Sequence, residues 1–200
     1  IKPVKVVNSV CPIRVNDLGG WTDTWFAEYG EVLNFGVYPY VQCQMHMLPR
    51  SEEQPSRVTI NAINYGDRYG IDPGNIIYDK HPLLEAAVDI MNLPKDLAIE
   101  VSILSSVPGG CSTGTSAAVS VALIGALDRA TYGRMTAAEV AMKAHEIETI
   151  NLKQQCGIQD QLCAAYGGIL HIKMFKYPHA QVSYLELSNL ESAYDYNYTF

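Results

Sequence analysis

Alternation of apolar and polar residues predicts strands in the first half of the chain and again near its end. Pro39 lacks the N–H that a ladder needs, so it should divide one long apolar stretch into two strands. The glycine- and proline-rich residues 64–79 should form an exposed loop. The predicted strands are residues 4–11 (ending at Pro12), 31–37, 40–48, 57–63, 97–104, 169–175 and 181–187.

Apolar residues at helical spacing predict helices mainly in the second half of the chain. Thr136 and Glu139 have the spacing of a capping box, which marks a helix start. The predicted helices are residues 83–91 (ended by Pro94), 117–130, 137–150 and 158–165 (stopped at Gly167). The order is strands, then mostly helices, then strands, which indicates an α+β domain rather than a regularly alternating parallel sheet.

Composition narrows the class of partner. The 200 residues are 48% hydrophobic and 18% charged, as expected for a folded domain. A formal net charge of −7 argues against nucleic acid or an anionic membrane as partner, but a nucleotide needs only a local pocket. Five cysteines without a C-x-x-C pattern argue against a disulfide framework or zinc site, and no apolar run reaches the ~18 residues of a membrane span. We therefore expect a cytoplasmic protein; its oligomeric state is left open.

A stretch of glycines and hydroxyls, residues 107–118, lies between the strand at 97–104 and the helix after it. Glycines let the backbone approach an anion, and the free N–H groups of a first helical turn favour negative charge. The stretch therefore predicts a phosphate-binding loop. The alternative is a glycine-rich turn that only lets a strand meet a helix closely.

Two further stretches stand out beside this loop. Residues 12–16 with 19–23 (Pro-Ile-Arg-Val-Asn and Gly-Gly-Trp-Thr-Asp) resemble the first motif of the GHMP small-molecule kinases. Residues 108–118 look like their second, ATP-binding motif. Residues 156–161 (Cys-Gly-Ile-Gln-Asp-Gln) are similar to the galactokinase segment with the catalytic aspartate. The chain is thus identified as a member of this family, close to the fucokinase, arabinokinase and heptose-phosphate kinase branch, from about residue 5 to about residue 175.

The resemblance implies the family's ribosomal-protein-S5-domain-2-like fold, a sheet and helices in two layers, and a site that uses ATP and Mg²⁺. Ser116 and Glu148 would be the magnesium ligands. Glu148 lies 12 residues before the catalytic aspartate position, as in galactokinases. The alternative for Glu148 is a solvated helix-face charge, with Glu146 as a competing ligand. The nucleotide would lie on the backbone of Pro108, Gly109, Gly110, Cys111, Ser112, Thr113, Gly114, Thr115 and Ser116.

The same resemblance assigns the reacting groups. Asp160 would be the general base, or the group that orients the acceptor hydroxyl; a helix-capping carboxylate is the alternative. Arg14 would lie near Asp160 and keep it ionised, the alternative being a structural ion pair. Sugar contacts are expected from Gly20, Trp21, Thr22, Asp23 and Asp17. Trp21 could stack on a sugar face or pack into the core.

The sequence departs from the family at two points. Ser112-Thr113-Gly114 stands where the family usually has Gly-Leu-Gly or Gly-Leu-Ser, and serine lacks the φ freedom of glycine. We also find no third, glycine-rich motif after Gly168. We therefore predict a kinase N-terminal domain over residues 1–187, with 188–200 leading toward a C-terminal domain.

The function expected is ATP-dependent phosphorylation of a sugar or sugar phosphate, at the anomeric hydroxyl. Fucose, arabinose and heptose phosphate are the leading acceptors, with galactose behind them. The rivals are a non-catalytic sugar or nucleotide sensor, an inactive fragment, and a mevalonate- or homoserine-type kinase. Against the last, Thr22-Asp23 and residues 156–161 favour sugar.

Overall fold

The computed structural model describes residues 2–186 of the chain. A single mixed sheet of seven strands carries helices on one face. The strands are β1 (Lys5–Leu18), β2 (Gly30–Pro49), β3 (Val58–Ala62), β4 (Asp67–Ile71), β5 (Leu97–Leu104), β6 (Ile169–Lys176) and β7 (His179–Tyr184). The helices are α1 (Pro82–Asp89), α2 (Thr115–Asp128), α3 (Ala137–Glu146) and α4 (Gln159–Tyr166), with a 3-10 turn at Ile63–Tyr65 and a π-helical turn at Ile147–Asn151.

The long strand β2 organises the sheet. One of its edges pairs with β1, and the other pairs with β6 along its first part and β5 along its second part. Strand order is β4-β3-β5-β2-β6-β7, with β1 beside β2. Only β3 and β5 pair in parallel among the described strands. The α+β architecture predicted from the element order is confirmed.

The two prolines expected to end strands lie inside them, so those predictions were wrong. β1 runs through Pro12, and β2 runs through Pro39. Pro12 pairs with Tyr40 while Ile13 pairs with Val37, so the ladder has an irregularity between them. Each missing N–H therefore falls where the register shifts, and the strands bend without ending. Pro39 does separate the part of β2 that pairs with β6 from the part that pairs with β5.

The predicted exposed loop at residues 64–79 was also partly wrong. Its first half is the 3-10 turn and β4, which forms a hairpin with β3 through Gly66. Gly66 has φ +68°, and the Val58–Ile71 to Ala62–Asp67 pairing fixes the register. The glycines of this segment correctly indicated a turn, at Gly66. The prediction of a loop failed because the short alternating strand after that turn, β4, was overlooked.

The four predicted helices all exist, with small shifts at their ends. α2 begins at Thr115, directly after Gly114, and most of its residues are buried. The Thr136–Glu139 capping box is present at the start of α3. That helix ends at Glu146 and passes into the π-helical turn rather than continuing to 150. The last strand ends at Tyr184, and the expected leader to a C-terminal domain at 188–200 lies outside the described residues.

Two apolar clusters hold the layers together. The larger one joins α1 and α2 to the face formed by β1, β2, β3 and β5. The smaller one joins α3 and α4 to β6, with Ile158, Leu162 and Leu170 at its centre. α2, most of whose residues are buried, packs against β1 and α4. No helix in the described part of the chain combines the length and apolarity needed to cross a bilayer.

Candidate active site

The glycine-hydroxyl loop ends at the start of α2, as the sequence predicted. The first N–H groups of α2 are available because its intrahelical bonds begin with Ala118 donating to the Gly114 carbonyl. Thr113 and Thr115 bring their hydroxyls to 3.0 Å from each other, and Ser116 is exposed in the first turn. A helix of 14 residues with a glycine loop at its N-terminus can bind a phosphate through its N–H groups and dipole.

Ser112, which stands where the family usually has glycine, adopts a glycine-like backbone conformation. Its φ is +55°, in the left-handed region that costs a residue with a Cβ ~1 kcal/mol or more. Its carbonyl accepts a 2.7 Å hydrogen bond from Nη1 of Arg14. The loop therefore keeps a glycine-like shape at Ser112, and a charged side chain from β1 stabilises it.

Arg14 and Asp160 form the centre of the site. Nε of Arg14 donates to Oδ1 of Asp160 at 2.7 Å, and the two residues come from β1 and the first turn of α4. The backbone N–H of Arg14 donates to the Thr113 carbonyl at 2.9 Å, so β1 also holds the loop. Gly114 lies against the pair: a Cβ there would be 3.1 Å from Cγ of Arg14 and 3.2 Å from Oδ2 of Asp160. The structure brings loop, arginine and aspartate together.

The electrostatics of Asp160 are a balance between opposing effects. Burial raises the pKa of this carboxyl, and the charge and hydrogen bond of Arg14 oppose that rise. The negative charge of Asp23 adds to the rise. A carboxylate with a raised pKa and one oxygen held by a guanidinium is suited to accept a proton at its other oxygen.

Asp23 is more deeply buried than a sugar-contacting residue on a loop was expected to be. It is 1% exposed, and both of its oxygens accept hydrogen bonds from Gln159, one from the backbone N–H (2.8 Å) and one from Nε2 (3.1 Å). A Cβ at Gly157 would lie 2.0 Å from Oδ2 of Asp23, so only glycine allows this approach. Its predicted contact with a sugar hydroxyl stays a prediction.

The remaining residues of the predicted sugar loop lie on the surface. Trp21 is 71% exposed at φ +70°, with its ring 6.4 Å from that of Phe26, so the alternative that it packs into the core was wrong. Thr22 donates its hydroxyl hydrogen to the Gly19 carbonyl and shapes the turn. Gly20 and Asp17 are exposed. Their roles in binding a sugar remain predictions.

Glu148 lies in the π-helical turn and is 6% exposed, which excludes the alternative of a solvated helix-face charge. One oxygen accepts a 2.9 Å hydrogen bond from Nε2 of Gln161. Burial and the charge of Asp160 raise the pKa of this carboxyl. Glu146, the competing candidate, instead forms an ion pair with Lys143.

These residues fit a magnesium ion in their donor chemistry. Burial raises the pKa of Glu148, the negative charge of Asp160 adds to that rise, and a cation would relieve both effects. Within residues 2–186 no cluster of three or more His, Cys, Asp or Glu side chains is placed for a metal. An ion here would therefore take a protein carboxylate and hydroxyl and complete its shell with water and phosphate oxygens, as Mg²⁺ commonly does.

A cleft of about 660 Å³ opens beside the loop. The glycine-hydroxyl loop, Ser116 and Asp160 line it, together with the 3-10 turn, the start of α1 and the end of β5. The apolar or aromatic side chains of its lining are Tyr65, Leu83, Ile103, Val107 and Val119, beside polar ones such as Lys80 and His81. The volume and the mixture of apolar wall with convergent polar groups are typical of a small-molecule site.

Two asparagines that hydrogen-bond to Gln159, next to Asp160, were not predicted from the sequence. Asn16 donates to Oε1 of Gln159 at 2.5 Å, and Asn34 donates to the Gln159 backbone carbonyl at 3.3 Å. Asn16 and Arg14 are two residues apart on one strand, a spacing that places both side chains on the same face. That spacing could have indicated the role of Asn16. The part of the cleft lined by the 3-10 turn and α1 could not be predicted in this way, because it depends on contacts between distant segments.

Part of the chain matches a family of known proteins. Residues 81–168 match the family described as GHMP kinases N terminal domain. The mevalonate kinase of Pyrococcus horikoshii is 39% identical over 83 residues, which are 42% of this chain and 24% of that protein. The mevalonate kinase of Methanothermobacter thermautotrophicus is 31% identical over 122 residues, or 61% of this chain and 38% of that protein.

A solved structure extends the likeness to nearly the whole chain. The D-glycero-D-manno-heptose 1-phosphate kinase from Bacteroides thetaiotaomicron superposes with a TM-score of 0.79 at 21% identity. The superposition covers 93% of this chain and 61% of that one. At this identity the likeness establishes the fold. The chain therefore spans about three fifths of that kinase, and its matched segments span about a quarter to two fifths of the two mevalonate kinases.

Proposed function

We propose that the protein, whose residues 81–168 match the family described as GHMP kinases N terminal domain, is an ATP-dependent kinase that phosphorylates a sugar hydroxyl, the anomeric one by our sequence-based expectation. The observation that carries this proposal is the Arg14–Asp160 pair at 2.7 Å, held directly under the glycine-hydroxyl loop. Phosphoryl transfer depends on a positioned acceptor and compensation of phosphate charge, and these groups supply both.

In this proposal Asp160 acts through Oδ2. Arg14 occupies Oδ1, so Oδ2 would accept the proton of the attacking hydroxyl or orient that hydroxyl toward the phosphate. Arg14 keeps its charge throughout and lowers the energy of negative charge that develops near the loop. The free N–H groups of α2 would hold phosphate oxygens.

Glu148 and Ser116 would hold Mg²⁺. The ion, when bound, supplies neutralisation of the nucleotide's phosphate charge. Glu148 contributes a carboxylate whose second oxygen does not bond Gln161, and Ser116 contributes an exposed hydroxyl in the first turn of α2.

The part of the cleft beside Tyr65 would hold the nucleotide base. Tyr65 is 70% exposed there, and its ring lies 4.8 Å from that of His81. Nε2 of His81 lies 2.8 Å from a carboxylate oxygen of Asp67, and this hydrogen bond holds the ring against which Tyr65 packs. A flat base can stack on such a wall while its phosphates extend toward Gly110 and the loop.

The acceptor would be uncharged. The segment at residues 15–29 surrounds Asp23 and contributes three acidic residues, Asp17, Asp23 and Glu28, and no lysine or arginine. A carboxylate such as that of mevalonate would meet repulsion from this segment, whereas a neutral sugar can donate a hydroxyl proton to the exposed carboxylate of Asp17 and lie against Trp21. A neutral hexose or pentose is therefore favoured over mevalonate and over a sugar phosphate.

A mevalonate kinase is the second candidate, favoured by the identity of 31–39% to the two archaeal mevalonate kinases. A third is a sensor that binds sugar or nucleotide without turnover. Burial raises the pKa of the proposed base, Asp160, and of the proposed metal ligand, Glu148, so keeping both carboxylates ionised costs stability. A sensor has no need of such groups.

The deciding experiment is a screen of the full-length protein with ATP, Mg²⁺ and a panel of sugars, sugar phosphates and mevalonate. We expect a phosphorylated neutral sugar, identified by product analysis. If mevalonate alone were phosphorylated, the acceptor would be mevalonate and not a sugar. Nucleotide binding without any phosphorylated product would favour the sensor.

A variant tests the assigned base. Asp160→Asn should lower kcat at least a hundredfold while nucleotide affinity stays within a few-fold, because Asn keeps the size and removes the proton acceptor. Glu186→Gln, a change of the same kind outside the site, is the control. Substantial activity in Asp160→Asn would contradict the role of base.

A further inference from the structure

We propose that Gln159 is a positioning residue that fixes the orientation of Asp160, and that Asp23 acts on catalysis through Gln159. The inference rests on the proposed function, since it concerns the group assigned there as base. Nothing in the sequence motifs assigns a role to Gln159, and its side chain is buried.

All four polar groups of Gln159 form hydrogen bonds, and together they reach three other segments of the chain. Its backbone N–H and Nε2 donate to the two oxygens of Asp23, at 2.8 and 3.1 Å. Its Oε1 accepts from Asn16, and its backbone carbonyl accepts from Asn34. The residue thus connects the sugar loop, β1 and β2 to the first residue of α4.

The two strands meet this residue in register. Asn16 on β1 and Asn34 on β2 are directly paired, and both amides donate to Gln159. Two residues before Asn16, Arg14 binds Asp160. Consecutive residues of α4 are therefore held by alternate residues of one strand, so a shift of Gln159 must move Asp160 relative to Arg14.

α4 depends on these contacts because it has no cap of its own. It is eight residues long, and Ile158 at its N-cap makes no side-chain hydrogen bond to the helix. Asp23 takes the place of the missing cap by accepting the Gln159 N–H from a distant segment. Gly157 permits this, since a Cβ there would overlap the Asp23 carboxylate. A ligand that moves Asp23 would thereby move the start of the helix that carries Asp160.

The test is Gln159→Met in the full-length protein, with Gln181→Met on the exposed face of β7 as the control. Methionine keeps the length and volume and removes the side-chain bonds to Asp23 and Asn16. We expect kcat to fall ten- to a hundredfold with KM for ATP within about twofold, because misplacement of a reacting group by about 1 Å costs up to that factor. The acidic limb of the kcat profile should shift to higher pH, since a looser Arg14 contact raises the pKa of Asp160.

A residue that only supports the fold would lower the amount of active protein and leave the pH profile in place. An unshifted profile with a normal kcat per folded molecule would overturn the proposal. If Gln159→Met does not fold, Asn16→Ala removes one bond to the same side chain and should give the same shift in smaller degree. An unshifted profile in that variant would also overturn it.

A second readout needs no turnover. The carboxyl ¹³C shift of Asp160 can be titrated by NMR in wild type and Gln159→Met. A higher pKa in the variant supports positioning even if no acceptor is ever phosphorylated, and an unchanged pKa refutes it. Failure of the proposed function would instead show as an inactive wild type, so the two failures are distinguishable.

Discussion

Gly114 offers the sharpest test of how the loop and the reacting pair are coupled. Its φ of +67° lies in the left-handed region, and a Cβ there would be 3.1 Å from Cγ of Arg14 and 3.2 Å from Cγ and Oδ2 of Asp160. Gly114→Ala therefore has two costs: backbone strain, and displacement of a bound pair by a few tenths of an ångström. The two can be separated because another glycine carries only the first.

Gly66 is that control. Its φ is +68°, and no other described atom lies within 4 Å of the place where its Cβ would be. Gly66→Ala should lower the free energy of unfolding by about 1 kcal/mol, the strain of one left-handed residue. Gly114→Ala should lose that amount and about 1 kcal/mol more, because Arg14 and Asp160 must move apart against a charge-assisted hydrogen bond.

Urea denaturation measures the stability of both variants, and steady-state kinetics with ATP and the acceptor measure the activity. Gly114→Ala should lower kcat tenfold or more, whereas Gly66→Ala should leave kcat near wild type. Equal losses of stability in the two variants, together with a normal kcat in Gly114→Ala, would refute the tight contact between loop and pair.

Two further predictions follow from buried titratable groups. Burial raises the pKa of Glu148 above 4.5, so the stability of the fold decreases as pH rises through that pKa. In thermal unfolding without Mg²⁺, Glu148→Gln should therefore be more stable than wild type at pH 7, and this gain should vanish near pH 4. The control Glu146→Gln should show no such gain. Burial lowers the pKa of His145 below 6.5, so the unfolded chain binds the proton first and the stability of the fold should decrease as pH drops below 6.5. His145→Gln keeps a donor for the Tyr177 hydroxyl and should reduce the loss of stability between pH 7.5 and pH 5.5, measured by urea unfolding. An equal loss of stability in the variant and in wild type would contradict this prediction.

The fold class could be predicted from the sequence because element order and helix signals are local. The Thr136 capping box, β5 and the start of α2 depend on residues close to each other in the chain, and the structure has them where expected. The strand ends predicted at Pro12 and Pro39 were wrong because proline was assumed to end a strand. Whether a proline ends a strand or marks a bulge depends on the partner strand, which is tens of residues away.

The site divides in the same way. The glycine loop, Arg14 and Asp160 carry recognisable motifs, and the structure brings them together. The support from Gln159 and Asn34 was not predicted, since hydrogen bonds across more than a hundred residues leave no local pattern. Burial was the other missing quantity: Asp23 was expected to face a sugar, whereas its oxygens face α4 in this structure.

Charge balance supplies a physical argument for a cationic ligand at this site. Burial raises the pKa of both Glu148 and Asp160; the charge of Asp160 adds to the first rise, the charge of Asp23 adds to the second, and Arg14 is the cation bound to Asp160. Burial of several like charges with a single guanidinium destabilises the fold, and replacing a buried carboxylate by a neutral isostere is expected to relieve that cost. The arrangement becomes favourable when a divalent cation and a polyphosphate arrive together, because the ion offsets the carboxylates and the α2 N-terminus offsets the phosphates. Nucleotide and Mg²⁺ should therefore bind cooperatively to the wild type, and Glu148→Gln should weaken that cooperativity while raising the stability of the free protein.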